Sequence, residues 1–395
     1  MIKELTIEKK GLPIGWEMKT LGEVCSFQNG FAFKSKTYKD DGIPVVRITN
    51  IQDESIDLSK IVYIDPKDYN KDLSKYKIIK GDLLIAMSGA TTGKIGIHNT
   101  DEELLLNQRV GKFEPSDNLN KSYLLNFLKT KVEESLTISA GAAQPNLSTE
   151  QIKSFQIPLP PLPQQKQIVS ILDRAFAAID NAKANAEQNL QNAKELFESY
   201  LQNVFENKGD DWEEKTLNQI SENLDRQRVP ITKKDRKEGK IPYYGASGIV
   251  DYVQDFLFDE DLLCISEDGA NLLARTYPIA FSISGKTWVN NHAHILRFDN
   301  NTSQYFVEYY LNSIKLDDFV SGMAQPKLNQ TKLNTIPIPF PASIKEQKKV
   351  VQKLDALSAE SKKLEAIYIQ KIANLEEMKK SILQKAFSGQ LNTIN

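Results

Sequence analysis

Two stretches of the chain carry helical hydrophobic spacing and no helix breaker. Neither Gly nor Pro occurs between Pro163 and Gly209, or between Pro341 and Gly389. Each stretch runs about 45 residues, near 65–70 Å if wholly helical at ~1.5 Å per residue. Pro before the start and Gly past the end is the expected punctuation. In the first, Leu172, Ile179, Ala186, Ala193 and Tyr200 share one heptad position, and Ile168, Ala175, Ala182 and Leu196 the other. In the second, Val350, Leu357, Leu364 and Met378 share one position, and Leu354, Tyr368, Leu375 and Ile382 the other. A stripe this narrow needs a partner helix to bury it. The small seam residues Ala175, Ala182, Ala186 and Ala193 permit close approach. The favoured partner is the other stretch, antiparallel about a pseudo-twofold axis; two separate coiled coils, each joining copies of the chain, are the alternative.

The remaining segments alternate short apolar runs with polar loops. Ile43-Pro44-Val45-Val46-Arg47-Ile48, Gly81 to Met87, Asp261 to Ile265 and Trp288 to Phe298 read as buried strands. Short helices are expected near Tyr123 to Val132 and Gln304 to Leu311. These two kinds of segment occur twice. Ala143-Gln144-Pro145-Asn146-Leu147 recurs as Ala324-Gln325-Pro326-Lys327-Leu328, and Ile157-Pro158-Leu159-Pro160 as Ile338-Pro339-Phe340-Pro341. Gln165-Lys166 and Leu172-Asp173 match Gln347-Lys348 and Leu354-Asp355, and Leu201 and Phe205 match Leu383 and Phe387. Upstream, Gly81-Asp82-Leu83-Leu84 resembles Glu260-Asp261-Leu262-Leu263, which sets Cys264 against Ile85 as a core residue. Trp16 with Lys19-Thr20-Leu21 resembles Trp212 with Lys215-Thr216-Leu217. A repeat of this period defines the architecture. The chain is predicted as an α+β protein: one α/β domain (1–160), a helix (161–208), a second α/β domain (209–341) and a second helix (342–395).

Composition narrows the class. With 40% hydrophobic and 26% charged residues the chain can build packed cores. No run of about eighteen apolar residues suits a membrane span, and Met1 to Lys10 lacks the apolar stretch of a secretory signal. Two widely separated cysteines, Cys25 and Cys264, suit a reducing, cytoplasmic compartment. The net charge of −2 does not advertise nucleic acid, but Arg226 to Lys240 holds seven basic residues against two acidic ones. A DNA footprint is a local patch of this kind, although a lysine-rich loop is more often simply solvated.

Several sharper motifs do not survive inspection. Ala280 to Thr287 fits a loose phosphate-loop pattern around Lys286, and Gly89 to Lys94 is a near miss. Ala280, Phe281 and Ile283 are too apolar for a phosphate loop, Trp288-Val289 continues as strand, and Ser284-Gly285-Lys286 reads as a turn. His292 and His294 would point the same way on a strand, but no Cys or carboxylate cluster completes a zinc site in the sequence. Glu213-Glu214-Lys215, superficially nuclease-like, belongs to the repeated domain entry. No Gly-rich cofactor loop and no Pro-Pro-Tyr/Phe adenine-methyltransferase site occurs.

A Gly-Trp-Glu entry, a long variable domain, Gln-Pro-Asn-Leu, Ile-Pro-Leu-Pro and a long helix, then the same order again, resembles the specificity subunits of type I restriction-modification systems. The second copy departs from the first: Asp211-Trp212-Glu213 replaces Gly15-Trp16-Glu17, and Asn291-His292-Ala293 replaces Asn107-Gln108-Arg109. The resemblance covers essentially the whole chain and implies two target-recognition domains separated by two long antiparallel coiled-coil helices. It implies double-stranded DNA as ligand, an asymmetric bipartite target, and two modification subunits plus restriction subunits as partners. No cofactor is then expected in this chain, with S-adenosylmethionine, ATP and Mg on the partner subunits, and no catalytic residue is expected. Bases are read by Arg, Asn and Gln, and phosphates are held by Lys, Arg, Ser and Thr. Candidates in the first domain are Lys34, Lys36, Arg47, Asn50, Ser88, Thr91, Thr92, Lys94, Gln108 and Arg109, with the repeated Gln144. In the second they are Arg226, Gln227, Arg228, Tyr243, Tyr244, Ser247, Asn271, Arg275 and His292, with Gln325. The alternatives from other classes are a coiled-coil scaffold with two ligand-binding heads, separated by a gel shift on random duplex DNA, and an NTP-driven enzyme using Lys286, separated by nucleotide titration.

Overall fold

A computed structural model describes residues 12–52, 54–139, 146–322 and 325–391. The first domain contains β1 (Glu17–Thr20), β2 (Cys25–Asn29), β3 (Ile43–Val46), β4 (Val62–Ile64) and β5 (Lys77–Ile78). These are followed by β6 (Leu83–Ala86), β7 (Ile95–Ile97), β8 (Leu104–Leu106), β9 (Val110–Pro115), helix α1 (Lys121–Lys129) and β10 (Gln156–Leu159). The long helix α2 spans Leu162–Glu206. The second domain repeats the order with β11 (Trp212–Lys215), β12 (Glu222–Asn223), β13 (Glu238–Gly245), β14 (Gly248–Val253) and β15 (Phe258–Asp259). Then come β16 (Leu262–Ser266), β17 (Ala280–Ile283), β18 (Lys286–Val289), β19 (Ala293–Arg297), helix α3 (Asn301–Ser313) and β20 (Ile338–Pro341). The second long helix, α4, spans Ile344–Phe387.

The two copies share one topology. Sheets β2-β9-β6-β7 and β4-β3-β8-β5 of the first domain become β12-β19-β16-β17 and β14-β13-β18-β15 in the second. In both, a parallel pairing joins the same two strands, β3 with β8 and β13 with β18. The entry strand pairs antiparallel with the Ile-Pro-containing exit strand, Lys19 opposite Ile157 and Lys215 opposite Ile338. Ile157 and Ile338 are fully buried, so the repeated motif closes each domain rather than forming a surface. One face of each β2- or β12-type sheet packs on helices, and the other packs on the second sheet of its domain. Inside a sheet a one-residue slip exchanges the two faces, and here the structure corrects the sequence alignment. Leu83 and Leu263 face the helices while Leu84 and Cys264 face the second sheet, so Cys264 stands where Leu84 does, not Ile85. It is a core residue, as expected, and burial raises its thiol pKa; burial pushes Cys25 up to about 12. The expected strand from Trp288 to Phe298 is in fact β18 and β19, in different sheets, interrupted at Asn290-Asn291-His292.

The described residues form two compact units, those within 1–185 and 371–395 and those within 186–370, and each contains part of both long helices. In the first unit α2 and α4 run antiparallel, with Lys379 paired to Asp180 at 3.0 Å and Lys183 to Glu376. In the second unit the Ser361 hydroxyl donates to the Ala193 carbonyl at 2.8 Å and the Lys353 ammonium sits 5.0 Å from the Tyr200 ring. The small residue at 193 is what lets Ser361 reach the backbone. The intramolecular pair is therefore the one formed. Part of the expected seam is outside it: Leu196 is 68% exposed, Leu364 38% and Met378 51%. On the first helix Leu172, Ile179, Ala186 and Ala193 are buried at the expected spacing, and the line then shifts by one residue to Leu201, as a straight helix that drifts about 20° per heptad requires. Gln165 and Gln347, fully buried at the two helix starts, are matched clamps. The Gln165 side chain donates to the Asn118 and Pro160 carbonyls, and that of Gln347 to Pro341. Among the described residues no helix is long and apolar enough to cross a membrane.

Candidate nucleic-acid interface

Three strand ends meet at one rim of each domain. In the first, β3, β6 and β8 all run out there. The Asn107 amide donates to Val46 O at 3.2 Å, Gln108 N to Phe31 O at 2.9 Å and Met87 N to Arg109 O at 2.9 Å. Thr91 closes the group by donating to Ile48 O at 3.1 Å. Gly30 is needed here, because a Cβ would lie 2.2 Å from the Asn107 carbonyl oxygen. Asn146 and Leu147 of the repeated motif reach the same rim: buried Leu147 donates its N–H to Met87 O at 2.7 Å, and Ser88 bridges Asn146. Gln144 lies outside the described residues.

The second domain builds the same rim with different side chains. Asn290 N donates to Tyr244 O at 3.0 Å, Glu267 N to His292 O at 2.9 Å and Leu328 N to Glu267 O at 2.8 Å, and Asp268 bridges Lys327. These matches fix the register as Asn290-Asn291-His292 against Asn107-Gln108-Arg109, one residue earlier than the sequence alignment had it.

Not every candidate presents its side chain. Lys34, Lys36, Gln108 and Arg109 in the first domain, and Arg226, Gln227, Ser247, His292 and Gln325 in the second, are exposed. Arg47 is half-buried, donating to Lys60 O at 3.2 Å; Thr91 and Lys94 are also half-buried. Tyr244 stacks on Phe281 at 5.9 Å. Others are turned inward and shape the loops. Asn50 accepts from Arg47 N at 2.9 Å and donates to Asp57 O at 3.0 Å, and Thr92 donates to Gly89 O at 2.7 Å. Tyr243 accepts from Ile231 N at 3.0 Å, and Asn271 accepts from Thr276 and Tyr277. Arg275, in the left-handed conformation, caps the end of α3 through Leu311 O at 2.8 Å. Ser88 is buried as well. The Arg226–Lys240 run divides: Arg228 reaches Glu267 and Ala293 O beside the rim, whereas the run's last residues begin β13, roughly 20 Å from its rim end at ~3.3 Å per residue.

Beneath the second rim is an ionic network that sequence reasoning missed. Buried His294 holds Asp225 through Nδ1 at 2.6 Å and the Leu328 carbonyl through Nε2 at 2.7 Å. Both partners can accept a hydrogen bond, so both ring nitrogens are occupied. Arg228 donates to Glu267 at 2.6 Å and to Ala293 O at 2.8 Å. Burial pushes the Asp225 carboxyl up, but hydrogen bonds from His294 and Ile295 and the charge of Arg228 outweigh it, and its pKa is lowered. Glu267 is lowered in the same way, by Arg228 above all, against burial. Asp225, Glu267 and His294 bring one ligand atom each within 4.8 Å of one another, the carboxylate cluster the sequence did not reveal. A guanidinium lies among them and both imidazole nitrogens are hydrogen-bonded, which makes the group a buried ion-pair network. His292 and His294 do not act together: the former is exposed and bonded to Asp268. In the first domain Gly111 replaces His294, and the Phe27 ring covers it so closely that a Cβ would lie 1.9 Å away.

The phosphate-loop reading of Lys286 fails, since Gly285 is a turn residue at φ 66° between β17 and β18, and Lys286 begins a strand.

A family model described as the type I restriction modification DNA specificity domain matches residues 13–191 and again 209–374. The chain belongs to this DNA specificity family. Among its relatives, the MjaX specificity subunit of Methanocaldococcus jannaschii is 27% identical over 416 residues, covering 96% of this chain and 94% of the relative. The StySPI specificity subunit of Salmonella potsdam is 24% identical, over 96% of this chain and 90% of its own length. A Haemophilus influenzae specificity subunit is 34% identical over 161 residues, 41% of this chain and 40% of the relative. The specificity-family fold is shared with the solved HsdS subunit from Thermoanaerobacter tengcongensis, with a TM-score of 0.61 and 18% identity over 97% of this chain and 99% of that one. A chain solved in work on complex assembly and conformational transition of the type I R-M system has a TM-score of 0.77 and 19% identity, over 96% of this chain and 100% of that one.

Proposed function

We propose that this chain is the sequence-reading, non-catalytic subunit of a type I restriction-modification complex. It binds double-stranded DNA at an asymmetric, bipartite target, one half-site per domain. It carries two modification subunits and restriction subunits, on which S-adenosylmethionine, ATP and Mg act. The observation that carries this reading is a pair of domains with identical strand order and unlike rims, since the same scaffold with different side chains at the strand ends reads two different words. Leu196, Leu364 and Ile367, exposed on the long helices, suit burial by the modification subunits. The test is an exchange of residues 15–160 for the corresponding domain of another family member, followed by sequencing of methylated sites. One half-site changes and the other stays. A simultaneous change in both overturns modular reading, and methyl transfer by the purified chain alone overturns the non-catalytic assignment.

A further inference from the structure

The two domains bring opposite chemistry to one pair of rim positions. Backbone pairing sets Ser88 and Arg109 of the first domain where Asp268 and His292 stand in the second. The first domain presents an exposed guanidinium, a donor suited to guanine O6 and N7. The second presents a carboxylate, 33% exposed, to which His292 Nδ1 donates at 2.8 and 3.0 Å. One N–H cannot fill the roughly four lone-pair sites of a carboxylate, so acceptor capacity remains at the surface. The neighbouring Glu267 is matched by Arg228 at 2.6 Å and Lys327 at 3.1 Å, and so adds little uncompensated negative charge.

A carboxylate facing DNA is repelled by phosphates and is tolerated where it accepts a hydrogen bond from a base. In the major groove only cytosine N4 and adenine N6 donate, while guanine and thymine turn acceptors toward it. Set against those, Asp268 would be a desolvated charge with no partner, a costly state. We propose that Asp268 is a specificity-determining residue of the second domain. It selects a base edge bearing an amino group, cytosine foremost, with His292 as its positioning residue. The proposal rests on the reading of the rims as DNA-binding.

The test uses the complex formed by co-expression with the modification subunit, presented with duplexes randomised through both half-sites; the methylated fraction is sequenced. Wild type selects cytosine or adenine at one position of the second half-site. Asp268→Ala lowers that preference roughly 5- to 150-fold, the ~1–3 kcal/mol of a base contact, and leaves every other position as it was. Asp268→Asn, which keeps the size of the side chain, moves the same position toward adenine, since Asn pairs with N6 and N7. His292→Ala broadens that position alone. Unaltered selection in both Asp268 variants, or a loss spread evenly over both half-sites, overturns the proposal. A wild-type complex with no sequence preference overturns the DNA-specificity reading itself, a distinguishable result.

Discussion

Asp225 is held by two N–H groups that have no water to turn to: His294 Nδ1 at 2.6 Å and the Ile295 amide at 2.9 Å. Truncation to Ala removes the acceptor and leaves buried His294 Nδ1 and the Ile295 amide without their partner. Loss of one partner of a buried pair costs about 3–5 kcal/mol. Asp225→Ala is expected to lower the unfolding free energy of the second unit by that amount, and Asp225→Asn by less, as followed by tryptophan fluorescence in urea. The depressed Asp225 pKa fixes the pH dependence. Its stabilisation is complete above the unfolded value near 3.8 and is lost as pH falls through the lower folded value. Wild type should therefore lose stability relative to Asp225→Asn only in acid, below about pH 4; parallel curves down to pH 2 would exclude the assignment.

At the scale of elements, what was legible in the sequence followed the physics of periodicity. Both long helices, their antiparallel pairing, the short helices around Tyr123 and Phe306 and most strands were visible because apolar spacing and Gly/Pro punctuation agree there. Register was not visible. Leu83-Leu84 and Leu262-Leu263 are apolar on both faces of a doubly covered sheet, so nothing in their pattern distinguishes the correct alignment from its one-residue neighbour. The break at Asn290 was hidden for a related reason, since β18 and β19 are both buried and no glycine separates them. The rim itself could be placed only after the sheets were known, although the repeated Gln-Pro-x-Leu was a signal, its Leu147 and Leu328 pinning the rim. Two expectations belong to elements. Replacing Lys233, Lys234 and Lys237 by Ala should lower the salt dependence of DNA binding by about one unit of slope per lost phosphate contact, without altering sequence preference. Inserting four residues into both long helices, where Ser361 meets Ala193, lengthens each by about 6 Å. If the helices set the gap, selection from a library of spacers shifts to one or two more base pairs at roughly 3.4 Å each, with half-site sequences unaltered.

For the molecule as a whole, the decisive feature is that each domain's core is completed by the end of a helix that began in the other half of the sequence. Phe205, at the end of α2, packs on Phe306 and Tyr310 of the second domain, 5.4 and 5.1 Å between ring centres. Phe387, at the end of α4, packs on Tyr123 and Phe127 of the first, at 5.0 and 5.7 Å. Phe387→Ala should cost about 3–5 kcal/mol. The loss should appear as faster hydrogen exchange in Lys121–Lys129 with Asn301–Ser313 unchanged; equal acceleration in both helices would refute the pairing. The same arrangement sets a timetable for synthesis. The second domain receives Phe205 before its own strands are made, but the first, complete in sequence at about residue 160, waits for Phe387, roughly 230 residues and 10 to 45 s later at ~5–20 residues per second. During that interval the socket around Tyr123 and Phe127 stands open on the ribosome. The half of the protein translated first is the half that finishes folding last.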